Sequence, residues 1–270
     1  MSSAHSQIDL TVVILTLNEE KNIQACLESV KSIAKEILVV DSFSTDATLA
    51  LVGKFNVRLV QNRFINYAAQ RNFALKQAGV KTEWVLMLDA DERVSPELSS
   101  EIKNLLGTSP RENGFEIRRR LYWYGKWIKK GYYPVWLTRL VRTHQAYCED
   151  RVVNEHLQVE GQVGRLQGDI LHEDQNGIDR WHTKHLRYAE LEAEEFFSSQ
   201  KNIHGIKRWV QYRVWDRLPL FLRPWIYFLY RYVLRGGFLE GWQGLSYHFF
   251  QSLWLQFLIS LKITEMKRRR

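Results

Sequence analysis

Strands alternating with helices of crossover length, polar clusters at three strand ends, and a basic, aromatic-rich last quarter predict an α/β protein. Its sheet is expected to be mixed but mainly parallel and flanked by helices. An amphipathic helical extension follows at the C-terminus. The expected organisation is an α/β domain over 1–200 and a helical region over 201–270. A chain of 270 residues, 45% hydrophobic and 25% charged, is long enough for one large core with an appendage, and its composition excludes a disordered chain.

Leu10–Leu15 is apolar and β-branched, so it reads as a buried strand. Asn18 is a suitable N-cap and Glu19-Glu20 favour a helix start, with Ile23, Leu27 and Val30 on one face. Glu36–Val40 is the second strand, ending at Asp41, and Thr45 or Asp46 is placed to cap a helix running to about Lys54. Val57–Val60 is the third strand, and Asn66–Ala78 is a helix stopped by Gly79. Trp84–Leu88 is the fourth strand. Ser95-Pro96-Glu97 then opens a helix with Pro at its first position. From Gly114 the texture changes. Gly114–Ile117, Val135–Val141 and Gly164–Leu171 are short β-like stretches between Gly- and aromatic-rich loops, expected to pair in mixed or antiparallel fashion. Ile178–Phe197 reads as a helix.

The last 70 residues carry 13 Lys/Arg against three acids, a net +10, whereas the first 200 are slightly acidic. That asymmetry points to an anionic partner surface, either membrane or nucleic acid. Leu218–Leu234 is rich in Trp, Tyr, Phe and Leu but is interrupted by Pro219, Arg223, Pro224 and Arg231. Gly241–Leu261 has no charged residue and is long enough to span a bilayer. Yet His248, Ser252, Gln256 and Ser260 recur every four residues, with Phe249, Leu253, Phe257 and Leu261 on another side. That is an amphipathic pattern. The expectation is helices lying in a membrane interface, with Trp and Tyr at headgroup level and Arg/Lys facing lipid phosphates. Packing against the α/β domain, or a homo-oligomer contact, is the alternative. No nucleic acid is expected as partner.

The chemistry concentrates where strands end. Thr16-Leu17-Asn18-Glu19 follows the first strand, Asp41-Ser42-Phe43-Ser44-Thr45-Asp46 the second, and Asp89-Ala90-Asp91 the fourth. Parallel strands bring their carboxyl ends to one edge, so these acids converge on one crevice. Two acids one residue apart can hold a hard divalent cation and a sugar hydroxyl side by side; Mg²⁺ is usually held by one or two carboxylates plus substrate phosphates. The plainer alternative is a solvated loop with an Asp cap. No G-x-G-x-x-G and no P-loop follows any strand, so a bound phosphate needs a metal, with Lys or Arg assisting.

These motifs, with Gln70-Arg71-Asn72, resemble the family 2 glycosyltransferases of GT-A (Rossmann-like) fold. The second half is similar to a bacterial subgroup that includes lipopolysaccharide-core glucosyltransferases. It matches through the stretches at 117–120, 125–142, 153–156, 164–172 and 184–189, so the resemblance covers roughly residues 9–195. The family often has Pro and an aromatic before Asn-Glu, where this chain has Thr16 and Leu17. The resemblance implies a metal-dependent inverting transfer of a sugar, glucose in that subgroup, from a UDP-sugar to a lipid-linked or polysaccharide acceptor. It implies that Thr16, Asn18 and Glu19 border the nucleotide, that Asp41 bonds the uracil ring with Arg71 nearby, and that Asp89 takes a ribose or sugar hydroxyl. Asp91 would coordinate the cation, Mg²⁺ or Mn²⁺, with His172 a candidate metal or diphosphate ligand. Glu155 matches the position of the general base, with Glu149 and Asp150 as competitors. Arg119, Arg120 and Arg139, beside Arg118, are candidates to grip the diphosphate or an anionic acceptor, since guanidinium forks match phosphate oxygens.

Two other classes share some of these features. A sugar-nucleotide pyrophosphorylase uses a similar sheet and acidic metal site but carries a Gly-rich phosphate loop, which this sequence lacks. A non-catalytic membrane adaptor would use the basic C-terminus but has no need of acids at strand ends. Two distant cysteines and an N-terminus without an apolar signal run fit a reducing compartment, and the expected location is the cytoplasmic face of the cell membrane.

Overall fold

A computed structural model of the chain describes residues 8–149, 156–197, 215 and 218–269. The chain divides into two compact units, Met1–Tyr122 with Pro134–Asn176, and Trp123–Tyr133 with Gly177–Arg270.

In the first unit, β1 (Leu10–Thr16) is buried at all seven positions. Alternate side chains enter two cores: Leu10, Val12 and Ile14 on one face of the sheet, Val13 and Leu15 on the other. A strand covered on both faces explains why this segment reads as a continuous apolar run. β2 (Glu36–Asp41) and β4 (Trp84–Asp89) flank it in parallel, and β3 (Arg58–Gln61) lies in parallel beyond β2. The crossovers hold α1 (Ile23–Val30), α2 (Thr48–Val52) and α3 (Tyr67–Lys76), the last capped by Asn66, whose Oδ1 accepts from Ala69 N at 2.7 Å.

α1 begins at Ile23, later than the sequence suggests. Asn18 does not cap it. It adopts a left-handed conformation, φ 55°, and its Oδ1 accepts from Thr45 N at 2.7 Å. The loops after β1 and β2 are thereby stitched together, with Asn18 N donating to Ser44 Oγ and Glu19 N to Thr48 Oγ1. Asp46 does serve the start of α2, accepting from Thr48 N at 3.0 Å.

After β4 the parallel pattern breaks. β5 (Glu92–Val94) leaves for the opposite edge of the sheet. α4 (Pro96–Leu106) follows, capped by Ser95 Oγ as expected. The remaining strands are β6 (Gly114–Trp123), β8 (Val135–Arg142) and β11 (Val163–His172), and the order along the sheet is β3-β2-β1-β4-β8-β6-β11-β5. β8 runs antiparallel to β4 and β6, β11 is parallel to β6, and β5 is antiparallel to β11 with Glu92 opposite His172. The mixed second half is thus as the sequence predicts. β9 (Ala146–Cys148) and β10 (Leu157–Val159) form a separate antiparallel pair that packs into the core under α3.

The second unit contains β7 (Lys126–Trp127), α5 (Ile178–Phe197) and a run of short helices from Arg223 to Arg269. α5 covers the residues expected of it. It packs Ala189 and Ala193 against Leu255, Ile259 and Ile263 of the terminal helix. Helix Gly241–His248 and helix Leu255–Arg269 are joined by the π-helical turn Phe249–Trp254, and another π turn spans Leu229–Leu234. No helix among the described residues is long and apolar enough to cross a membrane.

The amphipathic pattern at 248–261 is real but runs inside out. His248, Ser252 and Ser260 are buried, whereas Phe249, Phe257 and Leu261 are exposed. Ser260 Oγ donates to Leu220 O at 2.9 Å, so the polar stripe bonds backbone within the unit. The His248 ring fits between Gly131 and Gly237, where a Cβ would approach it to 2.6 and 2.5 Å.

Gly168 in β11 lies directly under α4, and a Cβ there would come within 2.4 Å of Leu98 Cα. Backbone cannot yield as a flexible side chain does. Gly168→Ala is therefore expected to cost about 1–3 kcal/mol, the usual scale of overpacking, seen as a lower urea midpoint with unchanged slope.

Candidate active site

Three carboxylates crowd the end of β4: Asp89, Asp91 and Glu92. Like charges so close destabilise one another unless cations intervene. Arg139 from β8 and Arg71 from α3 do so. Asp89 Oδ1 takes Arg71 Nη2 at 2.9 Å, and Oδ2 takes Arg139 Nη2 at 3.0 Å. The same Arg139 nitrogen donates to Glu92 Oε1 at 2.8 Å, and Glu92 Oε2 accepts from Asp89 N at 3.1 Å. Arg119 Nη1 stands 3.9 Å from Glu92 Oε1. Burial alone would push the Asp89 carboxyl up. The Arg139 and Arg71 charges outweigh it and hold the group well below the usual carboxylate range. The ionised form is what the fold favours. Its contribution is complete above about pH 4 and fades as pH falls below that.

Asp91 lies on the turn from β4 to β5. The antiparallel β5–β11 pairing sets Glu92 against His172, and Glu173 N donates to Asp91 O at 3.0 Å. His172 Nδ1 therefore stands 3.3 Å from Asp91 Oδ1, without hydrogen-bond geometry to any partner. A carboxylate oxygen and an imidazole nitrogen so placed match the donor set of a divalent cation that takes its other ligands from phosphate and water. Among the described residues, no three or more His, Cys, Asp or Glu side chains are grouped to hold a metal unaided.

The segment after His172 is clamped to the start of α1. Glu19 Oε2 accepts from Asn22 Nδ2 at 2.7 Å and from Asn176 Nδ2 at 3.0 Å. Asn22 also donates to Asp174 Oδ1 and accepts from Gln175 N. Glu19 thus belongs to this edge through a side-chain lattice that its sequence context does not reveal.

Asp41 is fully buried and accepts from Ser44 N and Gln61 Nε2, both at 3.0 Å. It organises the loop after β2. Thr16 lies opposite it in the β1–β2 register, 4% exposed. On that loop Phe43 adopts φ 65° with its ring exposed. Strained backbone of this kind concentrates at functional loops, and nothing in the residue's type announces it.

The Gln70-Arg71-Asn72 motif spreads its side chains to three places. Gln70 Nε2 donates to Ser42 Oγ, Arg71 holds Asp89, and Asn72 exchanges two bonds with the Cys148 backbone at 2.8 and 2.9 Å. Asn72 thereby fixes the end of β9, from which the 149–156 connection departs. Glu155 and Asp150 lie outside the described residues. Glu149 accepts from Gln158 Nε2 at 2.7 Å.

The arginines separate by face. Arg119 and Arg139 stand at the carboxylate cluster. Arg118 and Arg120 lie on the other face of β6, where their Nε atoms hold the buried Asp169 at 2.9 and 2.5 Å. Glu92 is the residue that the sequence reading passed over. The signal was its place in Asp89-Ala90-Asp91-Glu92, but only the pairing with Arg139 shows its role. Cys26 Sγ lies 3.8 Å from Asp89 O, and burial with the three nearby acids pushes the thiol well up, which makes it unreactive.

A mixed sheet whose parallel strands end in an acidic crevice, with no Gly-rich loop beside it, is an α/β enzyme architecture without a dinucleotide site. The model of the family described as glycosyl transferase family 2 matches residues 11–113. A lipopolysaccharide core biosynthesis glycosyltransferase, LpsC of Rhizobium meliloti, is 32% identical over 262 residues, covering 90% of both chains. With that match the chain belongs to glycosyl transferase family 2, and it is a glycosyltransferase of GT-A fold. An uncharacterized glycosyltransferase of Rickettsia typhi is 24% identical, covering 81% of this chain and 78% of its own. Among solved structures, S. aureus TarS 1-349 in complex with UDP-GlcNAc superimposes with a TM-score of 0.50 at 17% identity, covering 96% of this chain and 91% of that one. This likeness shows the fold.

Glu92→Gln keeps the shape of a fully buried side chain and removes its charge beside Arg139. The expected loss is about 3 kcal/mol, the low end for a broken buried pair because Asp89 still neutralises Arg139. Denaturant unfolding of the purified variant checks it, and an unchanged midpoint contradicts it.

Proposed function

We propose that the enzyme transfers a hexose, glucose, from a UDP-sugar to a saccharide of the lipopolysaccharide core or a related lipid-linked acceptor, with inversion. The observation that carries the reading is the juxtaposition of Asp91 and His172 beside the Arg-held Asp89. The acceptor class is supported by the Rhizobium relative, whose name places it in lipopolysaccharide core biosynthesis.

Asp91 and His172 would hold a Mg²⁺ or Mn²⁺ ion, which supplies Lewis-acid stabilisation to the departing diphosphate. Asp89, ionised and fixed by two arginines, keeps lone pairs for a ribose or sugar hydroxyl, because each carboxylate oxygen can accept more than one bond. Arg119, near the same acids, offers its guanidinium to phosphate oxygens. The acceptor oxygen attacks C1 of the sugar, the C1–O bond to UDP breaks, and that electron pair leaves with UDP. The acceptor proton goes to Glu155 as general base. Asn72 holds the Cys148 backbone at the end of β9. The acceptor would be met at the cytoplasmic face of the membrane, to which the C-terminal region attaches peripherally.

Asp91→Ala is expected to abolish UDP release from UDP-sugars while leaving the circular dichroism spectrum unchanged. His172→Ala is expected to weaken Mn²⁺ binding, read by electron paramagnetic resonance with UDP present, by roughly 10- to 100-fold. Wild-type Mn²⁺ affinity in both variants would refute the ligand assignment.

Glu155→Gln should lower turnover by about 10²- to 10⁴-fold, the range for general acid–base catalysis, with donor binding little altered. Unchanged turnover moves the base to Glu149 or Asp150.

A further inference from the structure

In the second unit, the segment Leu218–Leu261 contains a single acid, Glu240. It is buried, and its Oε1 accepts from Lys129 N and Lys130 N at 3.1 and 2.9 Å, with Lys126 Nζ 3.6 Å from Oε2. No carboxylate from this segment therefore faces outward. Apolar side chains do. Leu234 is 78% exposed, Leu239 63%, Trp242 59% and Phe238 52%. They sit together on the turn from the Leu229–Leu234 π segment to helix Gly241–His248. Trp225 and Leu229 continue the exposed apolar surface on the preceding helix and turn.

Exposed cations border this turn. Lys129, Lys130 and Arg235 are all exposed. The Lys130 chain runs 3.9 Å from the Cβ position of Gly236, and Arg235 Nη2 reaches toward Tyr133 O at 3.5 Å. The turn is also stiff from within. Arg231 is buried, donates to Gly131 O at 2.8 Å and Tyr227 Oη at 3.1 Å, and lies against the rings of Tyr132 and Tyr247. With His248 wedged between Gly131 and Gly237, the inner polar groups lock the turn so that its leucines cannot fold inward.

We propose that the Leu234–Trp242 turn, rimmed by Lys129, Lys130 and Arg235, is a docking surface for an anionic lipid bilayer, into whose headgroup region Leu234, Phe238, Leu239 and Trp242 insert. The proposal rests on the peripheral membrane attachment proposed above and names the surface that makes it. Apolar area and cations act together in interfacial binding, the first entering the acyl boundary and the second meeting lipid phosphates. Large exposed apolar patches mark interaction sites. A second copy of the chain is the poorer occupant. A two-fold contact sets the same patch against itself, which would bring the cationic rims together with no acid of this segment to offset them.

The test is flotation of full-length protein with phosphatidylcholine vesicles, with and without phosphatidylglycerol, alongside two double variants. Leu234→Asp/Leu239→Asp removes insertion, and Lys129→Ala/Lys130→Ala removes rim charge without touching the apolar turn. Wild type should float with the phosphatidylglycerol vesicles and only partly dissociate in high salt. The leucine variant should bind at least roughly tenfold more weakly, since each buried leucine contributes more than a factor of ten. The lysine variant should also lose about 25-fold, at about fivefold for each of its two cations, and only on anionic vesicles. Both should keep metal-dependent UDP release and the wild-type melting profile. If wild type floats and both variants float equally well, this surface is wrong while peripheral attachment stands. If wild type does not float, both fall. Wild-type dimers that the leucine variant converts to monomers, with no flotation by either, would assign the surface to a second copy instead.

Discussion

The bond on which the first unit depends is the shared guanidinium of Arg139. One nitrogen meets Asp89 at 3.0 Å and Glu92 at 2.8 Å, with Arg71 on the other oxygen of Asp89. A strand end that gathers three carboxylates is stable only where cations offset their repulsion. Two arginines, from a crossover helix and from an antiparallel strand, supply the missing charge. They also orient Asp89, so the same contacts that relieve repulsion prepare a fixed anionic acceptor. Electrostatic groups held in place before reaction lose nothing to reorganisation.

The geometry has a topological source. A wholly parallel sheet would place Asp91 far from any residue of β11. The chain instead sends β5 directly from the acidic turn to the opposite edge, where it pairs antiparallel with β11. Glu92 opposite His172 is the register that results, and a slip of one residue would turn these side chains to the other face. Gly168 under α4 lets β11 approach closely enough to hold this arrangement.

The second unit follows a different logic. Several of its polar side chains, Arg231, Glu240, His248 and Ser260, are used internally, and many of its large apolar ones are displayed beside a small apolar core. In a water-facing helical unit the hydrophobic effect works the other way. The inversion holds because each inward polar group named here finds a backbone or side-chain partner, which removes most of the cost of burying it.

Periodicity and composition by themselves determined the order of strands and helices along the chain, the helix starts near Asn66 and at Ser95-Pro96, the acids at strand ends and the amphipathic stripe at 248–261. Each depends on neighbours in sequence, or on apolar runs whose burial any compact fold must satisfy. Tertiary structure decided the rest. Asn18 was expected as a cap, but a loop twenty-seven residues away took its side chain. Arg120 was a candidate alongside Arg119 and Arg139, but strand alternation turned it, with Arg118, toward Asp169. The roles of Glu92, Asn22 and Asn176 were not legible in the sequence, because a buried ion pair or an amide clamp exists only when distant segments meet. Which stripe of the C-terminal helix faces outward was likewise invisible: periodicity defines two faces, and only packing against Ala189, Ala193 and Leu220 chose between them.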